Sequence, residues 1–454
     1  MSRQAHPAPG AALRNEGQPM TEDTTTLHYA TIEELRVGMF VHLEGGWLAH
    51  PFPLSNFKLS SPQQIATIRS LGLQRVRWTP AKSDLEAPAE PARRAAGAAG
   101  DGAAVPDMAC GTWPGVPPAA VRARREALDA QREAVAQCQQ QFDEAAGACR
   151  SLTEIVKAQP ERARAQAEAL SRAFVDKMLA HEEVCIRLLG EVAGDKASMH
   201  AVNVAVLSLL LGKAFGLAEA DMLDLGAGAV IHDVGKIELP ERLRHRDDRH
   251  SAADLLVYQE HVAHGVALAR AMGLSEGARR VVEEHHEHAD GSGFPLRLPA
   301  DRMALGARIV ALVNRYDNLC NPHIPSRALT PHEALSLLFA QGKAKFDATI
   351  LAAFVKMMGV YPPGSAVQLT DERYALVVSV NSSRPLKPRV LVHDVHVPSA
   401  EALLLDLERE PHLGIRRSVK PLTLPRDAQE YLSPRPRVAY FFEPARDALA
   451  EGAG

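Results

Sequence analysis

The sequence predicts a multidomain, mainly α protein: a central all-α domain, a small α+β domain before it and a small β-rich extension after it. Three observations lead there. At about 150 residues per domain, a chain of 454 residues suits roughly three domains rather than one core. Apolar residues recur at three- and four-residue spacing through most of residues 119–360, the pattern of packed helices. On either side of that stretch, short runs alternate apolar with polar, as half-buried strands do.

Taken in order, residues 1–28 read as a disordered leader rich in Pro, Ala, Gly and Asn. Residues 29–84 form the α+β domain. Val37, Met39, Val41 and Leu43 alternate as a strand, Pro62 to Leu73 has helical spacing (Ile65, Ile68, Leu71), and Gln74 to Trp78 returns to alternation. Trp47, Phe52 and Phe57 either fill that domain's core or form a surface for a ligand or partner. Residues 85–118, alternating Ala, Pro and Gly, are a linker.

Residues 119–189 read as a helical stalk of two long helices broken near Pro160. Leu152, Ile155, Val156, Leu170, Phe174, Met178 and Leu179 line its apolar stripes, which serve either as a packing face or as a homodimer seam. Residues 190–360 are the central helical domain. Residues 361–445 are the β-rich extension and tail. In it Val367, Leu369, Leu376, Val378 and Val380 flank the turn Thr370-Asp371-Glu372, Lys387 to Val392 adds a strand, and a helix is expected over Ala400 to Leu407 before a Pro-rich end.

Composition narrows the function. Hydrophobic residues at 46% and charged residues at 23% exclude global disorder. A net charge of −4 argues against a dedicated binder of nucleic-acid polymers or of anionic membranes. The five cysteines (Cys110, Cys138, Cys149, Cys185, Cys320) are odd in number and contain no CxxC, so a disulfide framework and a thiolate zinc site are not expected. The longest apolar run, Val204 to Leu211, stops at Lys213, short of the roughly 20 residues of a membrane span. Met1 to Met20 lacks the charged-then-apolar order of a signal peptide, and the expected location is cytoplasmic.

The chemistry concentrates in the centre. Nine of the 19 histidines lie between His200 and His288. His200 opens HAVNVAVLSLLLG, His232-Asp233 begins HDVGK, His261 and His264 lie in EHVAHG, and His285, His286 and His288 in EEHHEHADGSGFP. His245 and His250 stand among Arg and Asp in a loop and read as solvated, and His264 or His288 alone reads as a hydrogen-bonded core residue. Imidazole and carboxylate suit iron, manganese, zinc or nickel. Adjacent helical residues such as His232-Asp233 or His285-His286 point about 100° apart, so both can reach an ion between packed helices, and one carboxylate can bridge two ions. A two-ion site polarises a phosphoryl group and makes hydroxide near neutral pH. Lys236 stands one turn after His232, where it can neutralise a phosphate oxygen. The Gly291-x-Gly293 turn lets backbone approach a ligand closely.

HDVGK, EHVAHG, HHEHADGSGFP and ARIVALVNRYDNL together resemble the HD-GYP domain, a bacterial subfamily of HD-fold metal-dependent phosphohydrolases that degrade cyclic di-GMP. The likeness covers roughly residues 190–360. The segment GMFVHLEGGWLAHPFPLSNF resembles an uncharacterised domain often found before HD-GYP domains, and the β unit after Tyr361 resembles a barrel-like extension that often follows them. The resemblance implies an HD-type helical domain and a cyclic di-GMP phosphodiesterase acting in second-messenger signalling, with a hydroxide bridging two divalent ions, iron or manganese, as the nucleophile. It implies one ion on His200, His232 and Asp233, and a second on Asp233, His261, His285 and His286. It also implies Lys236 on the scissile phosphate, with Gly291 and Gly293 at the substrate.

The sequence departs from the family in four places. Phe294 replaces the tyrosine of Gly-Tyr-Pro, which keeps the ring. Asn314 stands where the family has an aspartate ligand of the first ion; its carbonyl can coordinate but lacks the charge. Asp317 nearby is expected to assist, as an orienter or a weak base. Lys196 stands where trinuclear members carry a glutamate, which opposes a third ion. An Arg-x-x-Lys element that some members use on substrate phosphates is absent, with Arg315 or Arg327 as candidate substitutes. These changes motivate two competing readings, a cyclic di-GMP sensor or adaptor that binds signalling proteins, and a phosphohydrolase acting on another nucleotide.

Overall fold

The computed structural model describes residues 28–43, 56–71, 73–84, 118–190, 195–247, 249–435 and 437–445. The readings placed on the leader, the linker, Trp47 and Phe52 fall outside these residues. The chain divides into two compact units.

In the first unit, β1 (His28–Thr31), β2 (Phe40–His42), β3 (Asn56–Lys58) and β4 (Arg75–Trp78) form an antiparallel sheet in the order β1-β4-β2-β3. Helix α1 (Pro62–Ser70) starts at Ser61, whose hydroxyl accepts from Gln64 N, with Pro62 at the first helical position. Met39, Val41, Leu59, Ile65, Ile68 and Val76 are buried together in the α+β arrangement expected. Val37 is the exception among the alternating residues. It is exposed because Gly38, at φ 97°, turns the chain before the strand begins.

The second unit begins with α2 (Pro118–Ile155) and α3 (Pro160–Leu179), which lead into β5 (Val184–Leu188). Then follow α4 (Lys196–Ala214), α5 (Glu219–Ile231), α6 (Ala252–Met272), α7 (Glu276–Glu284), α8 (Leu305–Cys320), α9 (Pro331–Gln341) and α10 (Ala348–Met358). The caps are written in the sequence: Asp195 accepts from Ser198 N, Ser251 and Asp254 close a capping box, and Gly273 ends α6 in the left-handed region. Strands β6 (Ala366–Leu369), β7 (Tyr374–Asn381), β8 (Arg389–Val392), β9 (Leu405–Asp406) and β10 (Ile415–Ser418) precede α11 (Arg426–Leu432) and β11 (Tyr440–Pro444). The helix expected over 400–407 is instead a single 3-10 turn, Ser399–Glu401, followed by β9.

The stalk stripe takes the first of its two expected roles, and the stalk's end differs from expectation. Leu152, Val156, Leu170, Phe174 and Met178 are buried in one core with α4, α5 and α8, so the stripe packs within the chain and these side chains are not left for a seam with a second copy. The second stalk helix stops at Leu179, and the buried run Val184–Leu188 is a strand. It lies between β7 and β11 in an antiparallel sheet, β10-β6-β7-β5-β11, with β8 and β9 added alongside β7. The Pro-rich end is also more than a tail, since β11 pairs Tyr440 with Leu188 and Pro444 with Val184.

Helix α4 is long and apolar enough to cross a membrane by length and composition, but most of it is buried inside the unit. It is the central core helix, and His200 stands one turn into it.

Candidate metal centre

Each candidate ligand sits where a helix meets its neighbours. His200 is on α4, His232 caps the C-terminus of α5, Asp233 opens the short turn Val234–Glu238, His261 is mid-α6, and His285 caps α7 with His286 next in line. Gly235 explains how the HDVGK turn reaches α6: a Cβ there would overlap the carbonyl oxygen of His261 and the amide of Gly265. Only glycine allows that contact, which carries Asp233 to His261.

The Asp233 carboxylate divides between two sets of imidazoles. Its Oδ2 lies 3.6 Å from His200 Nε2 and 3.5 Å from His232 Nε2. Its Oδ1 lies 3.6 Å from both His261 Nε2 and His285 Nε2. His286 joins the second set, and within each set the donor atoms lie within 4.8 Å of one another. Donors held about 2.0–2.2 Å from one ion, at angles of 90–120°, stand about 3–3.6 Å apart, so the spacing fits.

Hydrogen bonding assigns the nitrogens. His232 Nδ1 donates to Ala229 O at 2.7 Å, His261 Nδ1 to Tyr258 O at 2.5 Å, and His285 Nδ1 to Val282 O at 2.8 Å. Each bond leaves Nε2 as the lone-pair nitrogen facing Asp233. His200 Nδ1 meets Asp317 Oδ2 at 2.6 Å, and its Nε2 approaches His232 Nε2 at 3.2 Å. Two lone pairs at that distance call for a cation between them. Asp233 Oδ1 and the Nε2 atoms of His261, His285 and His286 are buried without a hydrogen-bond partner, which is costly unless a cation takes them up.

The electrostatics agree. Burial pushes His232 down to about 4 and His261 to about 3, against the pull of Asp233, and burial with His285 and His261 holds His286 well below its usual range. These rings are neutral at pH 7, as ligands must be. Burial alone would raise Asp233, but Lys236 foremost, then His232, hold it well below the carboxylate range. Lys236 Nζ bonds Asp233 Oδ2 at 2.5 Å and lies 5.6 Å from the centre of the Tyr258 ring.

The GFP loop serves the ligands. At Gly293 a Cβ would overlap the backbone of Glu287 and His288, and Phe294 stacks on His286 at 4.6 Å. Gly291, at φ 75°, makes the turn. Glu287, fully buried, accepts from the amides of Leu296, Arg297 and Leu298 and ties the loop down. The two glycines thus shape the loop beside the site.

Asn314 is buried on α8, and among the described residues its side chain hydrogen bonds only with Asn318, at 2.6 Å. Asp317 is fully buried, with both oxygens occupied by His200, Asn203 and Asn321. This burial and pairing with His200 Nδ1 suit an orienter of His200. His245 is half-buried: it stacks on His323 at 4.2 Å, and burial, His323 and Lys196 push it down to about 4. Burial and Arg437 lower Lys196 to about 8. His288 meets Ser292 Oγ at 3.0 Å, a local loop bond.

Sequence reasoning missed Glu287, Asn203, Asn321 and His323. Asn203, a lone amide in the apolar run of α4, was the detectable signal. Asn321 and His323 had none.

Fold and site together place, in a helical domain, clustered His and Asp side chains that could hold divalent metal ions. The chain matches the HD domain family over residues 155–350 and a domain of unknown function, DUF3391, over residues 30–167. A cyclic di-GMP phosphodiesterase of Pseudomonas aeruginosa is 27% identical over 368 residues, covering 80% of this chain and 84% of that one. A 3'3'-cGAMP-specific phosphodiesterase of Vibrio cholerae is 30% identical over 131 residues, covering 28% of this chain and 25% of that one. A solved Bdellovibrio bacteriovorus protein described as HDG"Y"P aligns with a TM-score of 0.39 at 13% identity, covering 72% of this chain and 98% of that one.

Proposed function

We propose that the chain is a cyclic di-GMP phosphodiesterase, which opens the cyclic dinucleotide to its linear form and thereby ends a second-messenger signal in the cytoplasm. The observation that carries this reading is the single carboxylate, Asp233, shared by two sets of neutral imidazoles. Two divalent ions bound there, iron or manganese on the chemistry of the donors, supply Lewis acidity and a water that ionises near neutral pH. The remaining work falls to side chains. Asp317 turns His200 so that Nε2 faces Asp233. Lys236 keeps an ammonium beside Asp233, where a phosphoryl oxygen gains negative charge as the ester opens. Phe294 covers one face of His286 and limits access of bulk water to that side.

The name of the Pseudomonas relative supports cyclic di-GMP as substrate, and that of the Vibrio relative makes 3'3'-cGAMP the comparison to include. The test is elemental analysis of protein purified without oxygen, with chromatographic assay of both cyclic dinucleotides on the same sample. About two ions per chain with cleavage of cyclic di-GMP is the expected result. Binding without cleavage, with about one ion or fewer, would make the chain a sensor or adaptor. Cleavage of 3'3'-cGAMP alone would reassign the substrate.

A further inference from the structure

The carboxylate that orients His200 is itself held from two directions. Asp317 Oδ1 accepts from Asn203 Nδ2 at 2.8 Å and from Asn321 Nδ2 at 2.9 Å, while Oδ2 meets His200 Nδ1 at 2.6 Å. Both asparagines also grip the end of the chain. Asn203 Nδ2 and Asn321 Nδ2 donate to Val438 O at 3.0 Å and 2.8 Å, Asn203 Oδ1 accepts from Tyr440 N at 2.9 Å, and Asn321 Oδ1 accepts from Val438 N at 2.9 Å. Asn203 and Asn321 are buried, and each amide is engaged at both oxygen and nitrogen, so a flip would set donor against donor.

Val438 leads directly into β11, where Tyr440 takes the remaining bond, and that strand is firmly seated. β11 pairs along its length with β5, Arg187 and Glu443 form a buried ion pair at 2.7 Å across that pairing, and Tyr440 Oη meets Tyr316 Oη at 3.0 Å. The path therefore runs from β11 through two amides to Asp317, and through Asp317 to the ring of His200. Among the described residues, His232, His261 and His285 have no such path, because each Nδ1 is held by a carbonyl three residues earlier.

We infer that Asn203, Asn321 and the Val438–Tyr440 backbone are positioning elements of the His200 half of the centre, so that the C-terminal strand governs the affinity of one ion and leaves the other untouched. The inference rests on the reading of the two imidazole sets as metal half-sites. It assigns a role to a segment that lies outside the region matching the HD domain.

The test is a calorimetric titration of the full-length apo chain with Mn²⁺, for wild type, Asn203→Leu and Asn321→Ala, with circular dichroism and Tm recorded for each. The expected result is that one of the two Mn²⁺ affinities falls about 10–100-fold in each variant, as when a ligand's hydrogen-bond partner is removed, while the other stays within about twofold. In a His200→Ala background, which removes the half-site concerned, Asn321→Ala should leave the remaining affinity unchanged; a merely structural role would lower it there too. Asn321 lies at the end of α8, so Asn321→Ala decides the matter if Asn203→Leu does not fold. Equal loss of both ions, loss of folding in both variants, or unchanged affinities would overturn the inference. Failure of wild type to bind two Mn²⁺ would instead overturn the metal reading, and two bound ions without nucleotide cleavage would overturn the proposed activity alone.

Discussion

His200 and His261 stand at the same 3.6 Å from opposite oxygens of Asp233, but different forces orient them. His261 is held by the carbonyl of Tyr258, three residues back on its own helix. His200 is held by Asp317, 117 residues away, which depends in turn on Asn203, Asn321 and the chain end. The second half of the centre is therefore largely specified by local helix geometry, whereas the first half exists only once α4, α8 and β11 have assembled. A ligand set by its own helix tolerates distant change; one set by a tertiary network transmits it.

Breaking the shared element should have the largest effect. Asp233→Ala removes the bridge, and both ions and all detectable cleavage should be lost while circular dichroism keeps its helical signal. Two ions retained in that variant would refute the bridging arrangement. Next, His200→Ala and His261→Ala should each cost one ion of two by elemental analysis, and the retained ion should differ between them. If either substitution empties both sites, the halves are not independent.

Acid should weaken the apo fold through its buried imidazoles. His232 and His261 sit at about 4 and about 3 when folded, against roughly 6.5 unfolded. Between those values the unfolded chain binds more protons, so stability is present above about pH 6.5 and falls as pH drops toward 4, by about 1.4 kcal/mol per group per pH unit. Urea melts of the chelated protein at pH 7, 6 and 5 check this, and a flat profile would mean that the rings are not buried neutral. Gly293→Ala should disturb only the second half, by pushing the loop off Glu287 and His288, and should lower the affinity of one ion while raising KM. The smallest effects belong to Asn314→Asp and Phe294→Tyr. The first should tighten the first-half ion if Asn314 reaches it; unchanged affinity would leave Asn314 as the partner of Asn318 alone. The second keeps the ring on His286 and should change kcat/KM by no more than about twofold.

Much of the site was legible because its donors come in compact words. HDVGK carries two of the clustered donors, the lysine and the glycine that lets the turn dock on α6, and HHEHADGSGFP carries two more donors and the loop that closes on them. Helical periodicity likewise located the core helices, because burial of one face needs a repeat near 3.6 residues. The strand Val184–Leu188 was not legible: a five-residue run buried on both faces, Arg187 included, has no period that separates strand from helix, and the partner strand lies some 250 residues later. The stalk's two readings stayed open in the sequence for a related reason, since an apolar stripe shows that a face is buried but not what buries it.

The amino-acid sequence by itself determined which side chains are offered to the centre and on which helices, because residue chemistry and local spacing are properties of short segments. Only the tertiary structure decided that Nε2 rather than Nδ1 faces Asp233, that the two carboxylate oxygens face different imidazole sets, and that Asp317 meets Nδ1 of His200. Those outcomes depend on distances between segments far apart in the chain, which close packing sets and no local pattern encodes.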